Sequence, residues 1–499
     1  MTFIGRSEEL SRLERSFRSD SIRTYAIYGR RRVGKTTLID KFCEDKPNIR
    51  FNLAGTVPEK ILEHAAKDIA RYTGNEPEDL LKTLKDFDNL IDFLETLRPV
   101  ERTVVVMDEL PDAVKAFEYV PASLMRYIDG TMKQQNLFLI VCGSSISAMM
   151  RELNGGDRPL FQRFPMQMML HPLPYRDARL FHPDMSEEDR IRAYAICSGV
   201  PLYHEMMSEY NSVDEGIRGL FLGKVPPLFM EAKNLLSIET VKQEPYIRIL
   251  STMGDGANTL KLIYERSGTS KTRCSQILED LQMLEYVEKR TPYGKRRSKM
   301  VYRFKDGFMD FFYSVLSGDE SILTLDAEDA FQSLKGKIDT FYGKRFEDVC
   351  AQYVMSTESC TWCGSWWGAV PVREDGVIIK DENGRTVTED VDVDLIAEVL
   401  RGDLKAVIMA ECKFSKRHTG IRELNELMDR SRIARKGGEN LEYMIISRTG
   451  FTSELLDFAA DRPDLKIRLV SMDDLQAWAE TGKNALGQSD DEAADEVES

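Results

Sequence analysis

The stretch that decides the fold is Tyr25-Ala26-Ile27-Tyr28-Gly29-Arg30-Arg31-Arg32-Val33-Gly34-Lys35-Thr36-Thr37-Leu38-Ile39-Asp40-Lys41-Phe42. An apolar run enters it, G-x-x-x-x-G-K-T fills it and an amphipathic helix leaves it, the strand-to-helix context that makes this motif a phosphate cradle. Gly29 and Gly34 let the chain turn tightly, so that N–H groups across Arg30, Arg31, Arg32 and Val33 can point at phosphate oxygens. The helix expected to begin near Lys35 adds the positive end of its dipole. In this reading Lys35 reaches the β- and γ-phosphates of ATP. The Thr36 hydroxyl completes the shell of a Mg²⁺ ion, and Thr37 closes the nucleotide-binding stretch.

Downstream, Thr103-Val104-Val105-Val106-Met107 is a strand of the fully buried kind and ends in Asp108 and Glu109. Mg²⁺-dependent hydrolysis needs one acid to hold the metal and another group to orient the attacking water, and these roles fall to Asp108 and Glu109. A third such strand, 137–142, runs into Gly143-Ser144-Ser145, where a serine at a strand-to-helix junction is also an ordinary N-cap. A further strand is expected over 50–54 and helices over about 57–73 and 86–98. Residues 3–10 should open a helix capped by Ser7, with Glu8 and Glu9 in its first turn. Strands alternating with helices imply an open parallel α/β sheet with its ligand at the carboxyl ends of the strands.

A length of 499 residues exceeds one core and suggests about three domains. An apolar share of 42% beside 30% charged residues reads as soluble and globular. Neither a membrane-length apolar run nor a signal segment is present, so a cytoplasmic protein with no membrane partner is expected. The eight cysteines are scattered through apolar segments, which fits a reducing compartment. Cys360 and Cys363 form a lone C-x-x-C and are expected to pack rather than bind zinc. The net charge of −15 includes six acids after Lys483 with no basic residue among them, a tail expected to be disordered, so local basic patches matter more than the total.

From Tyr246 to Phe312 the pattern changes to short helices and a basic hairpin. Leu260, Ile263 and Tyr264 mark one helix face, Ser267-Gly268-Thr269 a turn, and Ile277, Leu278, Leu281 and Leu284 the stripe of a second helix. Strands over 286–289 and 300–304, joined across Pro292-Tyr293-Gly294, make this a helix-turn-helix with a wing. The wing carries Lys289, Arg290, Lys295, Arg296, Arg297, Lys299 and Arg303, a cluster suited to DNA phosphates, and Lys271 and Arg273 are placed to enter a groove. A charged hairpin is equally an ordinary solvated surface.

After a charged linker at 318–329, a helix over about 338–355 carries Glu347, and a tryptophan-rich strand and a polar hairpin near 381–384 follow. Strands are then expected over 391–397 and 406–413. Folding them antiparallel about Gly402 brings Asp394, eight residues before it, nearly opposite Glu411, nine after it. The period of two puts Lys413 on the face of Glu411, and Asp392 on that of Asp394. Two carboxylates can share a Mg²⁺ or Mn²⁺, while a lysine can position hydroxide or steady the charge on a reacting phosphorus. The plainer reading is that charged and apolar residues merely alternate along a half-exposed hairpin. Lys416, Arg417, His418, Arg430, Arg432, Arg435 and Lys436 beyond it are candidates for a phosphate track, and a strand at 443–447, a helix near 454–460 and a strand at 467–470 complete the core.

The loop wording Gly-Arg-Arg-Arg-Val-Gly-Lys-Thr resembles that of the archaeal-type P-loop ATPases of the AAA+/STAND class (MNS clade), which commonly carry a C-terminal PD-(D/E)XK nuclease-like domain. The resemblance runs through nearly the whole chain. It implies a multidomain α/β protein: a P-loop AAA+-type parallel sheet over 1–182, a helical lid over 183–240, a winged helix over 241–317, a restriction-endonuclease-like α/β domain over 330–480, and the acidic tail 484–499. It further implies that Phe3, Ile4, Gly5 and Arg6 sit beside the adenosine, that Ser144 senses the γ-phosphate, and that Ser198-Gly199-Val200-Pro201 is the turn of the lid. Arg163 becomes a charge stabiliser, although Gln162 stands where the family usually shows glycine. Asp394, Glu411 and Lys413 match its D…E-x-K pattern, and Glu347 matches the acid supplied by the preceding helix, giving a metal set of Glu347, Asp394 and Glu411. The function implied is ATP hydrolysis coupled to a metal-dependent DNA endonuclease. The alternative is a regulatory STAND-type switch that binds DNA or protein partners, or itself, through the winged helix, with an inert nuclease fold.

Overall fold

A computed structural model describes residues 3–55, 57–239, 243–294, 300–318, 322, 324–374, 377–434 and 440–481. The expected wing cations Lys295, Arg296, Arg297 and Lys299, the track residues Arg435 and Lys436, and the acidic tail lie outside them. The chain divides into two compact units. The first comprises Met1–Leu173 with two short later segments, Gly199–Tyr203 and Met283–Glu285, and the second comprises the rest.

In the first unit, β1 (Thr24–Tyr28), β2 (Asn48–Asn52), β3 (Thr103–Asp108), β4 (Leu137–Gly143) and β5 (Met166–Met169) form a parallel sheet in the order β2-β3-β4-β1-β5. The unbroken apolar wording of β3 and β4 follows from burial on both faces. Ile27, Val104, Val106, Phe138 and Ile140 pack against Leu38, Ile39 and Phe42 of the helix Lys35–Cys43, while Ala26, Val105, Met107, Leu139 and Val141 face helices on the other side. The first helix, Ser7–Arg18, corrects the expected cap. Arg6 takes the cap position at φ 66 and makes no side-chain cap bond, so Ser7 is already helical. A short helix, Pro77–Thr83, was not anticipated, and it buries none of its residues.

The second unit contains the helices Glu187–Cys197, Val213–Phe221 and Glu231–Glu239, then three more, Glu244–Gly254, Leu260–Ser267 and Lys271–Met283, and the antiparallel pair β6 (Val287–Arg290) and β7 (Val301–Phe304). A 31-residue helix, Ala327–Thr357, follows. It starts well before the expected 338 because Asp326 caps it by accepting the Glu328 N–H and because Ala330, Phe331 and Leu334 extend its buried stripe. Only the last three residues of the expected linker, 327–329, are therefore helix.

Five strands form the C-terminal sheet: β8 (Cys360–Pro371), β11 (Thr388–Arg401), β12 (Leu404–Lys413), β13 (Asn440–Ser447) and β14 (Ile467–Val470), in the order β14-β13-β12-β11-β8. Between β8 and β11 in the chain, β9 (Arg373–Glu374) and β10 (Val377–Ile378) pair with each other as a separate two-stranded ribbon. β8, β11 and β12 pair antiparallel, while β13 and β14 add in parallel. The long helix and the helix Met472–Thr481 cover one face through Phe346, Val349, Val354, Leu475 and Trp478, and the helix Ile421–Ala434 covers the other through Leu424 and Leu427. The result is a second α/β sheet domain, separate from the first sheet.

Candidate functional site

Because β4 lies between β1 and β3, the carboxyl ends of these three strands stand side by side, and each contributes one part of the first site. The loop after β1 is held from behind. Arg6 donates to the Val33 carbonyl at 3.0 Å and to the His171 carbonyl at 2.6 Å, and Val33 itself is fully buried. A Cβ on Gly29 would lie 2.4 Å from the Leu170 carbonyl oxygen, so only glycine fits. Gly34 at φ 92 turns the chain into the helix that begins at Lys35. Lys35 is buried, and its ammonium donates to the carbonyls of Gly29 at 2.8 Å and Arg30 at 3.1 Å. Thr36 donates through Oγ1 to Asp108 Oδ2 at 3.3 Å, so a hydroxyl and a carboxylate meet at the mouth of the loop. Those hard oxygen donors suit Mg²⁺.

Glu109 adopts the left-handed backbone at φ 58, a conformation that costs a side-chain-bearing residue about 1–3 kcal/mol. Its carboxylate accepts the Ser144 N–H at 3.0 Å and the Ser144 hydroxyl at 2.9 Å. Ser144 therefore does not cap the following helix, whose cap position is taken by Ser145. Its hydroxyl donates to Glu109, so the residue expected to sense phosphate holds that acid. Arg32 at φ 70 sets its guanidinium over the Tyr203 ring, 5.9 Å from the centroid, while Thr37 is exposed on the first helical turn. Phe3 packs against the core beneath the loop. The expected stabiliser Arg163 is bound instead by Asp129 at 2.7 Å, and Gln162 takes φ 62, reproducing with a side chain the backbone a glycine would give. Arg50 escaped the sequence reading. It pairs with Asp40, donates to the Ile39 carbonyl at 3.3 Å and feels the charge of Asp108, a neighbourhood visible only once β2 is known to flank β3.

The second site is built on β11 and β12. Gly402 at φ 61 closes a two-residue loop, Arg401 pairs with Leu404, and the register reaches Leu395 opposite Ala410. One step further stand Asp394 and Glu411, and Asp394 Oδ2 accepts the Cys412 N–H at 2.8 Å. Burial, then the charge of Glu411, pushes the Asp394 carboxyl up to about 7. Burial, then the charge of Asp394, pushes Glu347 up to about 8. Glu411 is 2% exposed, takes a bond from Lys413 at 2.5 Å, and lies 3.4 Å from Arg430. Glu347 lies 3.9 Å from the Arg303 guanidinium and opens onto a recess. Among the described residues no group of three or more His, Cys, Asp or Glu side chains is poised to hold a metal ion, so Glu347, Asp394 and Glu411 are not gathered into one cluster here. Each outer acid is drawn aside by a cation: Glu411 by Lys413 and Arg430, Glu347 by Arg303. The donors are nonetheless carboxylate oxygens, the chemistry that Mg²⁺ and Mn²⁺ prefer.

Several expected phosphate contacts are spent elsewhere. Arg303 and Arg290 both bind Glu288, and Arg303 also binds Asp348, so these wing cations face carboxylates. Lys416 pairs with Asp339 at 3.0 Å and Arg432 with Asp429 at 2.9 Å. Asp392 is exposed beside Asp394. Cys360 and Cys363 are free thiols pushed up by burial to about 12 and about 11, as packing residues should be.

A parallel sheet with a glycine-lysine-threonine cradle beside a strand-end acid defines a P-loop nucleotide hydrolase. Residues 3–203 match a family described as an ATPase domain predominantly from Archaea, and residues 311–425 match a family described as archaeal and bacterial proteins of unknown function. The chain thus carries an archaeal-type P-loop ATPase domain. It is 25% identical over 383 residues to an uncharacterized protein of Methanocaldococcus jannaschii, covering 73% of this chain and 82% of that one. Over 44 residues it is 52% identical to an uncharacterized ATP-binding protein of the same archaeon, covering 9% of this chain and 75% of that one. Among solved structures it is similar to the Walker-type ATPase of Pyrococcus abyssi, with 17% identity, 62% of this chain and 96% of that one covered, and a TM-score of 0.46. Among the described residues no helix is long and apolar enough to cross a membrane.

Proposed function

We propose that this ATPase drives a divalent-metal-dependent DNA nuclease carried by its own C-terminal sheet. The observation that carries the proposal is the juxtaposition of Asp394 with Glu411 across β11 and β12, with Lys413 on the Glu411 carboxylate and the Glu347 carboxyl raised by burial and by the charge of Asp394. Burial and mutual repulsion raise the Asp394 and Glu347 carboxyls, and a bound cation would relieve both. A Mg²⁺ or Mn²⁺ held by Asp394 and Glu411 would supply Lewis acidity and a metal-activated water. Lys413 then steadies the charge that grows on the phosphate oxygens, and Arg430 keeps Glu411 oriented. The three helices and hairpin from Glu244 to Phe304 read as a winged helix that meets DNA.

At the other site we assign ATP to the loop Gly29–Thr37, with Lys35 on the β- and γ-phosphates, Thr36 and Asp108 on Mg²⁺, Glu109 aligning the attacking water and Ser144 placing Glu109. The nuclease proposal is tested by incubating the full chain with circular, linear and branched DNA, with and without ATP, in Mg²⁺ or Mn²⁺. Cutting is expected, and Glu411→Ala should abolish it while ATP hydrolysis persists. If the wild-type chain cuts no DNA under any of these conditions, the proposal falls and the regulatory switch takes its place.

A further inference from the structure

The helix Ala327–Thr357 presents Lys337, Thr340, Lys344, Glu347, Ala351 and Met355 at spacings of three and four, hence along one face. All six line cavities. The first, about 630 Å³, holds Lys337, Thr340 and Lys344 and ends at Glu347. A second, about 620 Å³, continues past Trp366 and Trp367, and the two share Asn258, Arg303, Glu347 and Asp392. A third, about 290 Å³, carries on under Glu347 to Ala351 and Met355. Together they make one trench whose floor is the helix and whose roof is the β6–β7 hairpin. The hairpin is fixed there by the Tyr293 N–H, which donates to the Ser365 carbonyl at 3.0 Å, and by the Tyr293 ring against Trp362 at 5.2 Å. From Lys337 to Glu347 the floor runs about 15 Å.

One glycine, Gly336, sits on this floor, and a second, Gly343, follows one heptad later in the helix. A Cβ at either would meet nothing within 4 Å. Glycine inside a helix is destabilising relative to alanine, and no packing in the fold demands it at these positions. Bare backbone at Gly336, beside Lys337 on the cavity wall, serves a ligand that must come close.

We infer that the trench receives a single unpaired strand of nucleic acid, led by Lys337 and Lys344 toward the acids at Glu347 and Asp394. The inference rests on the nuclease reading and names its substrate class. Three features favour a lone strand. Cavities of this size hold one small molecule each, whereas a duplex has a major groove about 12 Å wide before its backbones are counted. The cations at the entrance are exposed and suit phosphates, while Trp367 at the far end offers a ring at the depth where a base would lie. Arg303 spans the middle, bound to Asp348 and near Glu347, where an entering phosphate can recruit it. The trench therefore selects frayed ends, flaps and tails over blunt duplex.

The test is fluorescence anisotropy of the full chain in EDTA, so that nothing is cut, with a fluorescein-labelled DNA strand, the same strand in a blunt duplex, and a duplex with an unpaired tail. The strand and the tailed duplex should bind about tenfold or more tighter than the blunt duplex. The double change Lys337→Glu, Lys344→Glu should weaken strand binding about tenfold and lower its salt slope by about 1–2. Gly336→Leu, which favours the helix, should block the strand with no loss of thermal stability. ATP hydrolysis reports folding, since none of these residues belongs to the P-loop unit. Equal affinity for blunt duplex, or strand binding untouched by both variants, overturns the inference even if the wild type cuts DNA. Strand binding that follows the expected pattern in a chain that cuts nothing leaves the trench standing and removes only the nuclease.

Discussion

Glu109 shows how much a single residue can be asked to do. It ends a buried strand, bends the backbone into the left-handed region and hands its carboxylate to Ser144. Strain of that kind persists only where the surroundings over-determine it, here by two hydrogen bonds and by Asp108, whose Oδ1 accepts the Glu109 N–H at 3.0 Å. If Glu109 aligns water, Glu109→Gln should keep nucleotide affinity and lower kcat about 10²–10⁴-fold, the usual span for a positioned acid–base group. Ser144→Ala, which only frees Glu109 to wander, should lower kcat less and leave KM for ATP unchanged. Lys35→Ala, by contrast, should remove nucleotide binding itself. Titration with a fluorescent ATP analogue and phosphate-release kinetics separate the three. An unaltered kcat in Glu109→Gln would assign the water to another group.

At the scale of elements, what the sequence made legible were the strands with unbroken β-branched wording, β3 and β4, and the alternating pair β11 and β12, whose short glycine turn sets the register that joins Asp394 to Glu411. What stayed hidden depended on partners far along the chain. The helix Ile421–Ala434 buries only Leu424, Leu427, Ser431 and Ala434 among charged neighbours, so its periodicity is faint until the sheet beneath it exists. Arg303 and Arg430, which pull the acids apart, come from other elements and carry no local signal. The pair His182 and His204 was equally silent. His204 Nε2 lies 2.6 Å from the Ser198 carbonyl and must donate to it, so its Nδ1 accepts from His182 Nε2 at 2.8 Å. Both rings are then neutral, and burial pushes them down to about 4 for His182, with Arg190 adding to the effect, and about 3 for His204. The sign follows. Above the ordinary histidine value of 6.5 both states are neutral and stability is complete. Below it the unfolded chain takes up protons the native state refuses, and stability falls until the native values are reached. The thermal midpoint should therefore drop between about pH 7 and about pH 5, and less steeply in His204→Gln. Identical slopes in the two proteins would contradict the neutral pair.

At the scale of the whole molecule, connectivity carries the argument. The chain leaves the P-loop unit after Leu173, returns for Gly199–Tyr203 and leaves again, so the helix Pro201–Ser208 begins in one unit and ends in the other. The returning segment is fitted tightly. The Leu173 N–H donates to the Gly199 carbonyl at 2.7 Å, and a Cβ on Gly199 would fall 1.7 Å from the Leu173 carbonyl oxygen. Pro201 lies 3.7 Å from where a Cβ on Gly34 would sit, and Arg32 rests over Tyr203. A triphosphate that draws Arg32 and the loop inward must therefore disturb Pro201 and Tyr203, and a helix passes the displacement along its axis because its hydrogen-bonded turns do not stretch. Hydrogen exchange over residues 199–208 should change when ATP is added to the wild type and stay unchanged in Lys35→Ala. If the C-terminal sheet cuts DNA as proposed, Tyr203→Ala should reduce the ratio of cutting with ATP to cutting without it toward unity. Exchange in this segment that is indifferent to nucleotide would show that the continuous backbone between the units carries no message, and any coupling of hydrolysis to cutting would have to run through another route.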